Sequence, residues 1–138
     1  MPPRAAIALT AAGALPFAVA ALMTTGYWPG DGRALALAYG TVIAAFMAGV
    51  HWGFAVRGAA LWPYALSVLP ALHVFFTVPA HPWRINGDPL AHLIANFAAL
   101  LVLDLLYQTR GLAPRWWLVL RLPVTGVVLT CLMLVRAG

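Results

Sequence analysis

Few side chains in this chain are of a type that could do chemistry, and the interesting ones stand inside apolar runs. The 138 residues carry eight Arg, three Asp, four His, one Cys and no Lys or Glu. Most of the arginines, with Asp31 and Asp88, fall at the ends of apolar stretches. His51, His73, Asp104 and Arg121 lie within them, with His92 and Asn96 nearer one end. An ionisable group inside a hydrocarbon-length segment is expensive to keep, so these positions are where function is sought first. Asp104 and Arg121 are equally far from a turn centred near Gly111-Leu112, so two antiparallel helices place them at one depth. They are expected to form a buried or half-buried ion pair. His51 sits about a turn and a half from the corresponding end of its own segment. Ser67 and Tyr107 are close in depth, so His51, Ser67, Asp104, Tyr107 and Arg121 can gather in one polar cluster. Arg121 and His51 could there donate to a lipid headgroup or a quinone carbonyl. The cluster could equally satisfy itself as a hydrogen-bond network.

Other chemistries find no support. There is no HExxH, CxxC, GxSxG or phosphate loop, and with two of three acids at turns a paired-carboxylate mechanism has nothing to build on. His73 and His92 both suit haem iron as neutral imidazoles. Their depths differ by several residues and no spacing motif joins them, so neither haem nor metal is expected. Cys131 stands alone in an apolar run, which excludes an intrachain disulfide. The net charge of +5 comes from singly scattered arginines, with no basic stripe to track nucleic acid.

The elements that must position these groups follow from composition. With 64% hydrophobic and 8% charged residues, the chain lacks the roughly one-quarter charged residues with which a soluble domain covers its surface. That excludes a soluble enzyme domain, a disordered tail and a secreted disulfide scaffold. About 20 apolar residues cross roughly 30 Å of hydrocarbon. Five segments qualify, at about 5–27, 34–56, 59–78, 89–107 and 116–135. Helices are required, because an open sheet cannot satisfy its backbone in lipid. The opening run, Arg4 followed by apolar residues to Ala18-Val19-Ala20, resembles a signal peptide with its cleavage site. It continues apolar to Tyr27-Trp28 and is read as the first span. Trp28, Trp62, Trp83, Trp116 and Trp117 fall near span ends, as interfacial aromatics do. The expected architecture is an all-α, single-domain integral membrane bundle of five transmembrane helices over residues 1–138.

Further details follow from spacing. Asp88 is a candidate N-cap and Pro89 a first-turn proline for the fourth helix. Pro70 should kink the third. His92, Asn96, Asp104 and Tyr107 lie within about 120° of one another on the fourth, a polar stripe that should face the interior. In the second helix Thr41, Ala45, Gly49 and Gly53 recur every fourth position, and the Gly49-xxx-Gly53 step is expected to let another backbone approach closely. Arg4, Arg57, Arg110 and Arg115, with Arg121 just inside, fall on the N-terminal side of the membrane. Arg33, Arg84 and Arg136 fall on the other, which favours a cytoplasmic N-terminus.

The run Tyr39 to Gly53 (YGTVIAAFMAGVHWG), the Ser67-Val-Leu-Pro70 step, Asp104, Pro114-Arg-Trp-Trp117 and Leu120-Arg-Leu-Pro-Val-Thr125 together resemble the signature of a small polytopic family. This is domain-of-unknown-function family 3429, found in bacteria and in a mitochondrial transmembrane protein of animals. The resemblance implies a multi-pass protein of the bacterial or mitochondrial inner membrane. It brings no activity and no catalytic residues. It does coincide with His51, Trp52, Asp104 and Arg121. The reading that follows is a non-enzymatic protein of the bacterial inner membrane. It would bind an amphipathic ligand or a partner membrane subunit through His51, Trp52, Ser67, Asp104, Tyr107 and Arg121, with membrane lipids as neighbours and no nucleic acid. The alternatives are a small membrane enzyme or transporter that handles protons or anions through His51, Asp104 and Arg121, and a structural or homo-oligomeric bundle without ligand.

Overall fold

A computed structural model describes all 138 residues. It contains five α-helices and no strand: α1 Arg4–Thr24, α2 Gly32–Ala55, α3 Trp62–Thr77, α4 Pro89–Thr109 and α5 Trp117–Ala137. Four of them, α1, α2, α4 and α5, are long and apolar enough to cross a membrane. The third is the exception. Its expected start near residue 59 is not reached, because residues 56–61 form turns and the helix begins only at Trp62 with Pro63 in its first turn. Its 16 residues rise about 24 Å at 1.5 Å each, short of a full hydrocarbon thickness.

The starts of α2, α4 and α5 are fixed by polar side chains. The Asp31 carboxylate accepts from the Ala34 amide at 2.9 Å, two residues ahead of the expected start of that helix. The expected cap at Asp88 forms, accepting from Leu90 N at 3.1 Å, with Pro89 in the first turn. Asp88 also receives Arg33 at 3.1 Å and Arg136 at 2.7 Å. One carboxylate thus gathers the starts of α2 and α4 and the end of α5. The start of α5 is capped from a neighbour: the Gln108 side-chain carbonyl of α4 accepts from Leu118 N at 2.8 Å.

The second helix is the hub, touching α1, α3, α4 and α5, while α1 and α5 close the ring. Its buried face runs Gly32, Ala36, Gly40, Ala44, Ala48, with Met47, His51 and Ala55. This is a small-residue stripe at every fourth position, the pattern that lets helices approach closely without a hydrophobic driving force. A Cβ on Gly32 would stand 2.1 Å from the Ala20 carbonyl oxygen, and one on Gly40 2.4 Å from Leu93 Cδ2. The expected packing stripe is displaced by this one. Gly49 and Gly53 face outward, and a Cβ on either meets nothing within 4 Å. Within the chain they admit no neighbouring helix.

The first helix fully buries residues in one half only. Its buried residues are Phe17, Ala20 and Ala21, beyond Pro16. Phe17 reaches across to Tyr39 and Phe97, with ring centroids at 5.1 and 5.7 Å. Ahead of Pro16 the helix has no buried residue. A cavity lies between this half and α2 and α5, where Tyr39 of α2 donates to the Gly13 carbonyl at 2.9 Å.

Candidate functional site

The expected ion pair is present and fully enclosed. Arg121 Nε donates to Asp104 Oδ2 at 2.9 Å, with Asp104 completely buried and Arg121 6% exposed. Two further donors converge on the other carboxylate oxygen: His51 Nε2 at 2.8 Å and the indole N–H of Trp117 at 2.7 Å. The carboxylate of α4 therefore takes three hydrogen bonds from α2 and α5. Because a carboxylate only accepts, the His51 proton lies on Nε2. Its Nδ1 has no partner in the buried ring, and a second proton there would be a stranded charged donor.

Around this centre Tyr107 packs edge-on to His51 at 4.9 Å and to Trp62 at 5.8 Å. Its hydroxyl donates to the carbonyl of Pro63. Phe54 meets Trp117 edge-on at 5.0 Å. Above the cluster Arg57 donates to Leu112 O at 3.1 Å, and the Arg110 guanidinium lies 5.6 Å from the centre of the Trp62 ring, a cation–π distance.

Of the residues singled out from sequence, His51, Asp104 and Arg121 meet directly, and Tyr107 touches the group through its ring. Ser67 and Trp52 do not join. Ser67 is buried but donates one turn back to Tyr64 O at 2.7 Å. Trp52 is 48% exposed and packs edge-on against Tyr64 at 4.8 Å. The α4 stripe does face inward at Asn96, Asp104 and Tyr107. Asn96 Nδ2 donates both to Pro70 O and to His73 Nδ1, each at 2.9 Å. The expected difference in depth between His73 and His92 is absent, since their rings meet at 5.4 Å. They meet edge to face. Asn96 also fixes the His73 proton on Nε2, away from the nitrogen it occupies.

Sequence reasoning missed Trp117 and Thr125. Trp117, Arg121 and Thr125 succeed one another at every fourth position of α5, so all three share a face. That spacing is the signal that could have found them. The face looks onto the cavity between α1, α2 and α5, which measures about 460 Å³, within the roughly 300–1,000 Å³ of small-molecule sites. Arg121 is the one charged residue among the twenty that line it; Phe17, Phe46, Phe54, Phe97, Trp116 and Trp117 supply aromatic wall. Two of the lining residues retain a buried polar atom without a partner: Arg121 Nη2 and Thr125 Oγ1. Buried polar groups in folded proteins are normally paired, and here two unpaired ones belong to residues one turn apart in the lining of one cavity.

Fold and site define a small, all-helical protein with the helices of a membrane protein, built around a buried three-donor carboxylate. The chain belongs to the protein family of unknown function DUF3429, whose model matches residues 2–137. Searches among curated proteins and among solved structures find no match.

Proposed function

We propose that this chain is a non-enzymatic multi-pass protein of the bacterial inner membrane. It binds one amphipathic molecule in the cavity between α1, α2 and α5. The head lies against Arg121 and Thr125, and the tail runs along the apolar wall of α1. The carrying observation is the coincidence of an apolar, aromatic-lined cavity with two lining residues, Arg121 and Thr125, that each hold an unpartnered polar atom. An apolar pocket with a few convergent polar groups is the usual form of such a site. In this reading α3, though short, crosses with the turns that flank it, making five spans. The N-terminus is cytoplasmic, by the count of arginines on the two sides. The Asp104 group acts as the fixed support that holds Arg121 in the wall.

The test compares the wild type with Gly13→Leu, extracted from membranes in mild detergent and examined by native mass spectrometry. Gly13 lines the cavity, and the nearest atom to an added Cβ is Tyr39 Oη at 3.9 Å, so a side chain can start there and extend into the space. The wild type is expected to carry a small-molecule mass that Gly13→Leu lacks. Equal retention by both refutes the reading.

A second reading, a structural or homo-oligomeric bundle, is favoured by the outward Gly49 and Gly53, which leave an open strip beside the exposed Phe46. The same spectra report it as a dimer mass that disappears on substitution of Gly49 by leucine.

A further inference from the structure

We infer that the head group this cavity takes is a neutral, flat carbonyl compound of the quinone or aromatic-ketone class, and not a phosphate or carboxylate. The inference rests on the amphiphile reading above and specifies its ligand.

Three observations lead to it. First, the only cation in the cavity wall is already matched. Arg121 is held by Asp104 at 2.9 Å, and no other charged residue lines the space. An anionic head would place a second negative charge across the same guanidinium, next to a buried carboxylate. Burying a charge without its own partner is strongly unfavourable, whereas a neutral acceptor needs only a hydrogen bond. Second, what the wall leaves unpaired is donor capacity. Arg121 Nη2 can only donate, and Thr125 Oγ1 carries a rotatable O–H. Their residues stand one turn apart on α5, about 6 Å along the helix axis. A neutral carbonyl acceptor is the partner such donors lack. Third, the wall nearest these donors is aromatic. Trp117 is held with its N–H committed to Asp104, and Phe54 stands edge-on to it; both line the cavity. Such a lining packs a flat conjugated ring better than a tetrahedral phosphate, because aromatic rings prefer stacked or edge-on aromatic partners.

The test uses the full chain in phosphatidylcholine nanodiscs, with decylubiquinone as the neutral probe and dodecyl phosphate as the anionic one. Gly13→Leu in the same lipid reports partitioning without the cavity. Decylubiquinone is expected to bind the wild type well above that blank and to lose about 5- to 10-fold in affinity in Thr125→Val, the order for one hydrogen bond. Dodecyl phosphate is expected not to displace it. In Asp104→Asn, where the guanidinium charge is released, dodecyl phosphate should gain at least tenfold. If dodecyl phosphate binds the wild-type cavity more tightly than decylubiquinone, the head assignment is overturned while the amphiphile reading stands. If Thr125→Val binds decylubiquinone as the wild type does, the placement of the head on α5 is overturned. If neither probe distinguishes wild type from Gly13→Leu, both inferences fall. Thr125→Val removes no hydrogen bond within the protein, so its arm holds even where Asp104→Asn does not fold.

Discussion

Breaking the Asp104–Arg121 pair offers a quantitative test of how the bundle is held. At 2.9 Å two unit charges attract by roughly 5–6 kcal/mol at an effective dielectric near 20. Desolvating each ion costs several kcal/mol, so the net worth of the intact pair is small. Removing one partner is another matter. Arg121→Met leaves a fully buried carboxylate with two neutral donors, and Asp104→Leu leaves a guanidinium that is 6% exposed with no counter-charge. Each single substitution should cost about 3–5 kcal/mol. The double substitution strands no charge. It leaves the N–H groups of His51 and Trp117 unpaired, at about 1–3 kcal/mol each. The double variant should therefore lose about as much as either single one, with a coupling of at least about 2 kcal/mol. Equilibrium unfolding in mixed micelles, titrated with sodium dodecyl sulfate and followed by tryptophan emission, measures all four corners of the cycle. Losses that add to within about 0.5 kcal/mol would show two independent sites and refute the reasoning.

Other expectations follow from single contacts. Thr125→Val should raise the stability of the ligand-free protein by roughly 1 kcal/mol, because it deletes a buried hydroxyl that has no partner; thermal unfolding checks this, and a loss would mean the hydroxyl is bonded. Gly32→Ala should destabilise by about 1–3 kcal/mol through overlap with the Ala20 carbonyl, while Gly49→Ala, facing open space, should gain roughly 0.5–1 kcal/mol from reduced chain entropy. Equal effects in the same unfolding assay would contradict the packing described. Tyr107→Phe leaves the Pro63 carbonyl unpaired in a buried setting and should cost about 1–3 kcal/mol, again read by unfolding. Acid should loosen the end of the bundle gathered at Asp88. The Arg136 hydrogen bond, with help from Arg33 and Leu90 N against some desolvation, holds this carboxyl below the ordinary value of 3.8. A depressed folded-state pKa gives stability that is present above the unfolded value and lost as pH falls through the folded one. The side chain is 33% exposed, so each pair contributes under about 1 kcal/mol. Stability should therefore fall less between pH 5 and pH 3 in Asp88→Asn than in the wild type; identical pH profiles would contradict the role given to Asp88.

The parts of this structure that could be read from residues alone are those set by local counting. Apolar runs and turn residues located the helices, and similar distances from the turn near Gly111-Leu112 placed Asp104 opposite Arg121. Helix starts were less legible. The second is set by the Asp31 cap, and the third is delayed by Pro63, so α3 is shorter than its apolar run. Two small-residue stripes occupy α2 at adjacent phases, one through Gly40 and Ala44 and one through Ala45 and Gly49. Periodicity alone does not say which faces the bundle; contact with Ala20 and Leu93 decides it. Trp117 was read as an interfacial aromatic because tryptophan is common at membrane boundaries, although its four-residue step to Arg121 put it on the polar face. The cavity was the least legible feature. It lies beside the half of α1 ahead of Pro16, which holds no fully buried residue, and no motif marks that change. Thr125 gained its meaning only with the cavity.

The most direct test of the central claim is an experimental structure of the full chain in native-lipid nanodiscs. The account predicts an elongated density between α1, α2 and α5 whose head lies within hydrogen-bond distance of Arg121 Nη2 and Thr125 Oγ1. A structure in which the first half of α1 closes onto α2 and α5, with both of those atoms bonded within the protein, would contradict it.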